Sequence, residues 1–273
     1  MKSTQSTATT FRRYLGIYAA LWRNSLVREM GFKSNFLLWI VVEALWFALQ
    51  LSYFAVIYSH TDSIAGWTKW EVVLLIGTAQ FIQQLFTALF LTNVTDLSEL
   101  IRTGKLDFLL LLPVNTRFLI SLRKVDLGGF INAGMALVVV GYACHQLRIE
   151  PTWSQLLGFL ILSAAGVCIH YALVLILAVS AFWTVRSQGV VWCYYNLFNI
   201  ARMPQSAFQG SFKIIFTFAL PMLLIANVPA KLLLQNLGSA WPMTLLLVIT
   251  GVWCVLSEIL WRFSLRHYTS ASS

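Results

Sequence analysis

The stretch at residues 156–183 decides the fold, and it reads LLGFLILSAAGVCIHYALVLILAVSAFW. It contains no aspartate, glutamate, lysine or arginine, and it exceeds the roughly 20 apolar residues that a helix needs to cross a hydrocarbon core of about 30 Å. Similar apolar stretches of membrane-crossing length lie at residues 36–58, 72–94, 127–144 and 243–263. We therefore predict an all-α protein that crosses a membrane several times.

Composition supports a single membrane domain over residues 1–273. Hydrophobic residues make up 59% of the chain and charged residues only 11%, whereas a soluble domain carries about 25% charged residues. The formal net charge is +9, but the basic residues lie between apolar blocks, where membrane topology accounts for them. We therefore expect no nucleic-acid partner. The four cysteines are isolated and lack metal-ligand spacing, so we expect no metal site.

The distribution of basic residues predicts the orientation. Lysine and arginine are concentrated before the first apolar stretch, between the second and third, and after the last, whereas the loops after the first and third hold only Lys69 and Arg148. Basic loops stay in the cytoplasm. Both termini and the second-to-third loop are therefore predicted to be cytoplasmic, which requires an even number of spans.

Two further apolar stretches, at residues 189–203 and 212–234, leave the sixth span open. If the first crosses, the second enters the membrane and returns; if the second crosses, the first lies on the inner surface. The charge rule mildly favours a crossing by 212–234. Its prolines, Pro221 and Pro229, favour the opposite arrangement, because proline breaks a helix.

The N-terminal segment 11–30 has the pattern of a helix that lies in the membrane interface beside anionic lipid. Basic side chains lie off an apolar stripe at helical spacing, formed by Phe11, Tyr14, Leu15, Tyr18, Trp22 and Leu26.

The loop at residues 95–117 predicts a short helix that begins at Asp96 and ends at Gly104. Leu97, Leu100 and Ile101 form one apolar face of this helix. Such a face in a cytoplasmic loop either docks into the groove of a partner or packs on its own bundle. The residues alone leave both possibilities open.

This loop resembles that of the ABC-2 type permeases with six helices. The resemblance is carried by DLSELIRTGKLDFLLLLPV at residues 96–114, supported by VREMGF at 27–32, ARMP at 201–204, FTFALP at 216–221 and VPAK at 228–231. It implies an exporter subunit of the bacterial cytoplasmic (inner) membrane, paired as a homodimer or heterodimer with a second permease subunit. It also implies that 189–203 is the fifth span and that 211–236 forms a re-entrant hairpin on the outer side before the last span.

The resemblance further implies that the loop is a coupling helix that binds a separate ABC ATPase subunit. The residues expected to couple are Asp96, Leu97, Glu99, Leu100, Ile101, Arg102, Gly104, Leu106, Asp107 and Pro113. This chain has no glycine-rich loop to hold phosphates and no catalytic constellation. We therefore expect no cofactor on this chain, and ATP with Mg²⁺ on the partner.

Isolated polar residues within the spans are candidates for the substrate path. Glu43 is an ionisable residue at membrane depth, where charges usually face a cavity or a partner. The path candidates are Trp39, Glu43, Trp46, Gln80, Gln83 and Gln84. A hydrogen bond between Glu43 and one of the glutamines is the structural alternative. Glu258 is expected to pair with Arg262, four residues on. A secondary transporter or channel without an ATPase is the alternative function, and a membrane scaffold is a third.

Overall fold

The computed structural model describes residues 7–31, 33–184 and 187–268, with side chains from residue 12 onward. Within these ranges the chain forms helices and loops and no β-strand, which confirms the all-α prediction. In chain order the helices are α1 (Thr7–Gly31), α2 (Lys33–Ile57), α3 (Lys69–Arg102), α4 (Lys105–Leu110), α5 (Thr116–Leu122), α6 (Leu127–Gln146), α7 (Trp153–Thr184), α8 (Gln188–Leu197), α9 (Gly210–Ala219), α10 (Met222–Leu233) and α11 (Trp241–Arg266).

Helices α2, α3, α6, α7 and α11 are long and apolar enough to cross a membrane. They coincide with the five apolar stretches, so the prediction of a multi-pass membrane protein is confirmed. Helices α9 and α10 pass the same test only as a pair, bent by 83° at a break. Helix α8 continues into a 3₁₀ helix, Phe198–Arg202, and is shorter than the other five.

The core of the bundle is formed by α3 and α7, which are the most buried of the five long helices, while α2 and α11 are the most exposed. Small residues allow close packing between helices. A β-carbon on Gly166 of α7 would lie 3.0 Å from Ile225 of α10, and one on Gly129 of α6 would lie 2.9 Å from Ala88 of α3. Ala88 belongs to a π-helical turn, Thr87–Leu91, which bulges out of α3.

The two ends of the bundle are distinguished by their loops. We call the end with residues 103–126 the loop end, and the end with residues 58–68 and 147–152 the far end. Helix α1 lies at the loop end, where Tyr14 packs edge-on against Phe118 at 5.1 Å between ring centroids. Trp22 likewise packs against Phe130 at 5.3 Å.

The apolar stripe predicted on α1 is divided between two surroundings. Tyr14, Tyr18 and Trp22 pack against the bundle, whereas Leu15 and Leu26 are exposed. Phe11 lies outside the described side chains. The helix therefore presents one aromatic face to the loop and keeps separate leucines on its surface.

Hydrogen bonds place residues 187–206 between the two ends. At the loop end, the Ser187 and Ser98 hydroxyls lie 2.8 Å apart. At the far end, the Ser206 hydroxyl donates to the Ala65 carbonyl at 2.8 Å. The segment that contains α8 therefore extends from one end of the bundle to the other.

Helices α9 and α10 lie on the far-end side of the bundle. Helix α10 packs antiparallel to α7, because Leu232 lies beside Gly158 and Ile225 beside Gly166. Asn227, which is fully buried, joins α10 to the preceding segment by accepting from the Gln205 amide at 2.8 Å and donating to a carbonyl at 3.1 Å. The bend at Pro221 therefore lies farther from the far end than Ser206 and Leu232 do.

Candidate functional site

A cavity of about 580 Å³ lies between α2, α3 and the segment that begins with α8. Its walls combine aromatic, amide and charged side chains. They are Glu43, Trp46, Phe47, Leu49, Gln50, Tyr53, Gln80, Gln83, Gln84, Tyr195, Asn196, Asn199 and Arg202. Five of the six predicted path residues therefore line one cavity.

The glutamines of α3 form one polar face of this cavity. Gln80, Gln83 and Gln84 are all buried, and their spacing places them on the same side of a helix. Gln84 Nε2 donates to a carboxylate oxygen of Glu43 at 2.9 Å. Glu43 therefore fits both predictions, because it lines the cavity and also joins α2 to α3 by a hydrogen bond.

Arg202, at the end of the 3₁₀ helix, is the cation of the cavity, and sequence reasoning did not assign it to the path. Its guanidinium donates to Gln80 Oε1 and Gln83 Oε1, each at 2.5 Å, and to Asn199 Oδ1 at 2.8 Å. All three acceptors are neutral amides. Its Nε is buried and has no hydrogen-bond partner among the described residues.

Arg202 and Glu43 are the two charged residues among the described residues that line the cavity, and they do not pair with each other. Each charge is held by amides of α3 instead: Glu43 by Gln84, and Arg202 by Gln80 and Gln83. Gln80 and Gln84 are four residues apart, which corresponds to about 6 Å along the helix axis. The cavity thus contains a positive and a negative group at different depths.

Trp39 is the predicted path residue that does not line this cavity. It lies in a separate cleft nearer the loop end, together with Arg28, Lys124 and Asp126. Trp46, by contrast, is one of the cavity walls. The two tryptophans are seven residues apart on α2, so they share a face of the helix but reach different clefts.

The loop at 95–117 buries the apolar face that the sequence offered to a partner. Leu97, Leu100, Ile101 and Leu106 are buried within the bundle. The Ser98 hydroxyl contacts Ser187 on this same side. The alternative in which the helix packs on its own bundle is therefore the observed one for these four side chains.

Asp96 does not cap a helix as predicted, because α3 continues through it without a break. Its carboxylate binds Arg123 at 3.3 Å and also binds Lys124. The predicted end of the helix is confirmed, since Gly104 adopts the left-handed conformation with φ of 68°. Glycine has no β-carbon to oppose that conformation.

The exposed residues of the loop form a mixed surface at the tip of α3 and on α4. Arg102 donates two hydrogen bonds to Glu99, at 2.8 and 2.9 Å, and this bonding lowers the pKa of the exposed Glu99 carboxyl. Phe108, Leu111 and Leu112 of the same loop are also exposed, and Leu111 is 81% exposed. We call these five residues the loop-tip surface.

The remaining predicted coupling residues lie at the edges of this surface. Pro113 is exposed, whereas Asp107 is partly buried. The carbonyl of Pro113 accepts a hydrogen bond at 3.0 Å from Arg13 of α1. The Tyr14 hydroxyl accepts from the Asn115 amide, also at 3.0 Å.

Helix α5, which follows the loop, is joined to the last helix by Arg117. Its guanidinium binds the Glu258 carboxylate of α11 and donates to Ser257 Oγ at 2.9 Å and to the Tyr171 hydroxyl at 3.2 Å. The predicted pair of Glu258 with Arg262 is confirmed at 2.5 Å. Helices α1, α5 and α11 therefore meet at the loop end.

In the described part of the chain, no group of three histidine, cysteine, aspartate or glutamate side chains lies close enough together to hold a metal ion. The features that remain are a charged cavity within the bundle and an exposed surface on the loop.

Comparison with known proteins identifies the family. Residues 44–272 match the family model described as ABC-2 family transporter protein. No curated protein and no solved structure gives a significant match. The match covers most of the chain, including the loop and every lining residue of the cavity except Glu43, and it agrees with the resemblance carried by residues 96–114. The chain belongs to the ABC-2 family of transporter proteins.

Proposed function

We propose that this chain is the permease subunit of an ABC exporter, which forms the substrate path and is driven by a separate ATPase subunit. The observation that carries the proposal is the loop-tip surface, where Glu99, Arg102, Phe108, Leu111 and Leu112 are exposed on a loop whose inner apolar face is buried against the bundle. An apolar patch beside a hydrated ion pair is typical of a protein contact.

The proposed contact uses only part of the residue set that the family resemblance implies. Leu97, Leu100 and Ile101 hold the loop against the bundle, so they support the surface without forming it. A groove on the ATPase would receive Phe108 and Leu111 and would meet the charges of Glu99 and Arg102 at its rim. This division gives the partner a rigid surface, because the inner face cannot leave the bundle without exposing buried leucines.

Helix α3 offers a direct mechanical link between the ATPase and the cavity. Arg102 lies at its end, and Gln84 lies on the same continuous helix about 27 Å away at 1.5 Å per residue. We propose that closure of two ATPase subunits around ATP and Mg²⁺ displaces the loop and shifts the glutamine face of α3. A shift of this face changes the contacts that hold Glu43 and Arg202.

We propose six spans, with the segment that contains α8 as the fifth. Helix α1 contacts Pro113 and helix α11 contacts Arg117, so both ends of the described chain lie at the same end of the bundle. An even number of crossings follows. Helix α8 and its 3₁₀ extension rise about 25 Å, close to the hydrocarbon thickness of about 30 Å.

We propose that α9 and α10 form the re-entrant hairpin, between residues 211 and 236. The bend of 83° and the far-end positions of Ser206 and Trp241 support this arrangement. With the basic loop in the cytoplasm, the far end faces outward in the bacterial cytoplasmic membrane, and both termini are cytoplasmic. Exposed α1 side chains such as Leu15 would contact lipid at the inner surface.

Cysteine labelling in intact cells tests this topology. In a variant without the native cysteines, Gln209→Cys is expected to react with a membrane-impermeant maleimide, as Glu150→Cys at the far end should. Thr103→Cys on the loop is expected to react only after permeabilisation. Protection of position 209 until permeabilisation would instead make the bent pair the sixth span.

Recruitment of the ATPase tests the proposed coupling surface. The ABC ATPases of the same genome are co-expressed with this chain one at a time, and the readouts are co-purification and ATP-dependent transport. We expect Phe108→Ala to weaken both. Phe212→Ala is the matched control for recruitment, because Phe212 is 67% exposed on α9 and Phe108 is 71% exposed on the loop.

A second pair of variants separates partner recognition from helix stability. Charge reversal at Glu99 or Arg102 alone breaks their mutual pair, whereas the double variant Glu99→Arg with Arg102→Glu keeps a pair and exchanges the two positions. We expect all three variants to bind the ATPase weakly, because the ATPase contacts each charge at its own position. Full recruitment by the double variant alone would reduce the role of this pair to local stability.

We propose that a second permease subunit packs against the exposed face of α2. This helix exposes Leu45, Trp46, Leu49 and Tyr53 beside the open side of the cavity. A like or identical subunit placed here would close the path between two copies. Disulfide formation by Leu49→Cys in a background without native cysteines is expected in the assembled transporter, and its absence at every position along this face would argue against pairing through α2.

The alternative function is a secondary transporter or channel that works without an ATPase. The observation that favours it is that Glu43 and Arg202 carry opposite charges in the cavity and form no ion pair with each other. Purified chain in proteoliposomes decides between the two. Substrate flux driven by a proton gradient without ATPase would establish the alternative, whereas flux that needs the ATPase and ATP supports the exporter.

A further inference from the structure

The cavity between α2, α3 and residues 198–202 holds opposite charges that nothing in the described chain neutralises directly. The Arg202 guanidinium is held only by amide oxygens, and its buried Nε has no partner. The Glu43 carboxylate accepts from Gln84 and forms no ion pair within the described residues. Charges in an apolar environment are costly without partners of opposite sign. The cavity is thus built to receive complementary charges from a ligand.

The positions of the two groups specify the sign pattern of that ligand. Glu43 is bonded to Gln84, whereas Arg202 is bonded to Gln80 and Gln83, which lie on the far-end side of Gln84 along α3. A ligand in the cavity therefore meets a negative wall nearer the loop end and a positive wall nearer the far end. A purely anionic ligand would face the unpaired carboxylate, and a purely cationic ligand would face the guanidinium.

The remaining walls favour an amphiphile. Trp46 lies three residues after Glu43 on α2, and its ring can receive a cationic group beside the carboxylate. Phe47 and Leu49 add apolar walls, and the cavity is open beside the exposed face of α2. The volume of about 580 Å³ falls within the range of about 300–1,000 Å³ that is usual for small-molecule sites. An apolar tail can therefore lie along the apolar face of α2 while a polar group occupies the cavity.

We propose that this cavity binds the zwitterionic headgroup of an amphiphile, with its anionic group on Arg202 and its cationic group between Glu43 and Trp46. This inference rests on the proposed substrate path, for which it names the class of substrate. The Arg202 guanidinium supplies the positive counter-charge for the anionic group, and Glu43 supplies the negative counter-charge for the cationic group. The neutral sum of charges on the ligand matches the neutral sum on the walls.

The test uses the purified full chain in nanodiscs of phosphatidylglycerol, which carry no zwitterionic lipid. Three probes share one octyl tail: octylphosphocholine, octyl phosphate and octyltrimethylammonium. Binding is measured by native mass spectrometry, and each probe is compared only between protein variants. Partition of a probe into the disc then cancels, because the lipid is the same in every comparison.

We expect reciprocal changes in selectivity. Arg202→Met should weaken octylphosphocholine about tenfold or more, as expected for loss of a charge-assisted hydrogen bond, and should strengthen octyltrimethylammonium. Glu43→Gln should weaken octylphosphocholine and strengthen octyl phosphate. Arg202→Lys should retain most of the zwitterion binding. Lys213→Met removes a charge outside the cavity and should change none of the three.

Loss of all three probes in equal measure, or octylphosphocholine binding that neither cavity variant changes, would overturn the proposal. Arg202→Lys and Glu43→Asp keep the charges and guard against a folding defect as the cause of lost binding. Because these measurements contain no ATPase, failure of the selectivity pattern leaves the permease function standing, and failure of ATPase recruitment leaves the binding site standing.

A second arm identifies the source of the headgroup. In nanodiscs of phosphatidylcholine the lipid carries the same zwitterionic group. The measured quantity is again the ratio of octylphosphocholine binding between the unmodified chain and Arg202→Met. A smaller ratio than in phosphatidylglycerol discs would show that a membrane lipid occupies the site, and an unchanged ratio would show that the site selects a freely diffusing amphiphile. Each result supports a zwitterion site, and the two differ in which molecule is carried.

Discussion

Replacement of Gly129 by alanine should strain the contact between α6 and the π-helical turn of α3. A β-carbon at this position would lie 2.9 Å from the Ala88 β-carbon and 3.0 Å from its Cα and backbone nitrogen. Backbone atoms cannot rotate away as a flexible side chain can. The Asp126 amide also donates to the Ala88 carbonyl at 2.9 Å, which fixes the two segments beside each other. Overpacking of such a contact costs about 1–3 kcal/mol.

Gly134 provides the matched control, because a β-carbon there meets nothing within 4 Å. Both substitutions replace a helical glycine with alanine on α6, so both gain the same helix propensity of about 1 kcal/mol. The difference between the two variants therefore isolates the strain, and we expect Gly129→Ala to be about 1–3 kcal/mol less stable than Gly134→Ala. This difference corresponds to about a 5- to 150-fold change in the unfolding constant.

Unfolding of both variants by steric trapping in the same bicelles measures this difference directly. Equal stabilities would refute the reasoning, because they would mean that α6 can move away from Ala88 at no cost. A lower stability of Gly134→Ala would refute it more strongly, since nothing in the structure opposes that methyl group.

Three further predictions concern contacts outside the cavity. A double-mutant cycle with Arg117→Gln and Glu258→Gln, measured by the same unfolding assay, should give a coupling energy of about 0.5–3 kcal/mol, and additive effects would contradict the contact between α5 and α11. The pKa of Glu99 is lowered by its bond to Arg102, so this bond stabilises the loop at pH values above the ordinary pKa of glutamate. The stabilisation is lost as the pH falls through the lowered pKa. Titration of the Glu99 carboxyl by NMR should therefore show a higher pKa in Arg102→Gln than in the unmodified chain. Asn227→Leu should destabilise the chain by about 1–3 kcal/mol, because it removes two hydrogen bonds of a fully buried side chain and leaves the Gln205 amide and the Met203 carbonyl without this partner. An unchanged unfolding free energy would contradict this.

The long helices were predictable because each requirement for them is local. A run of apolar residues such as 156–183 has one stable structure in a membrane, where every backbone group must be bonded within the segment. The structure places α7 over this run. Proline removes a helical hydrogen bond, and the chain breaks at Pro221 as predicted. The same prediction was wrong for Pro229, because α10 continues through it. Local chemistry thus accounts for five long helices and for the bent pair.

The function of the loop helix was not predictable from its own residues. An apolar face formed by Leu97, Leu100 and Ile101 has the same pattern whether it meets a partner or its own bundle. The choice depends on Ser187 and the end of α7, which are distant in sequence and close in space. Asp96 was misassigned for the same reason, since its partner Lys124 belongs to the return segment.

Arg202 shows a different limit. In the sequence it belongs to a group of basic residues near an apolar stretch, which is the usual pattern of a loop that sets orientation. Its role depends on the direction of the 3₁₀ helix, which turns the guanidinium toward Gln80 and Gln83. The available signal was Gln80, Gln83 and Gln84 themselves, because three buried amides on one helical face require partners. A nearby cation with no acidic neighbour was a candidate for such a partner.

Helix α3 accounts for how these separate features can act together. It carries the loop-tip charges at one end, the π-helical turn near Ala88 in its middle and the glutamine face beyond it. A π-helical turn is a local irregularity that is frequent at functional sites. A displacement of the loop must pass this turn before it reaches Gln84. Because Gly129 packs directly on the turn, α6 determines how far the turn can move. The strain predicted for Gly129→Ala should therefore affect the position of the glutamines as well as the stability of the bundle, and transport should be more sensitive than ATPase recruitment to this substitution.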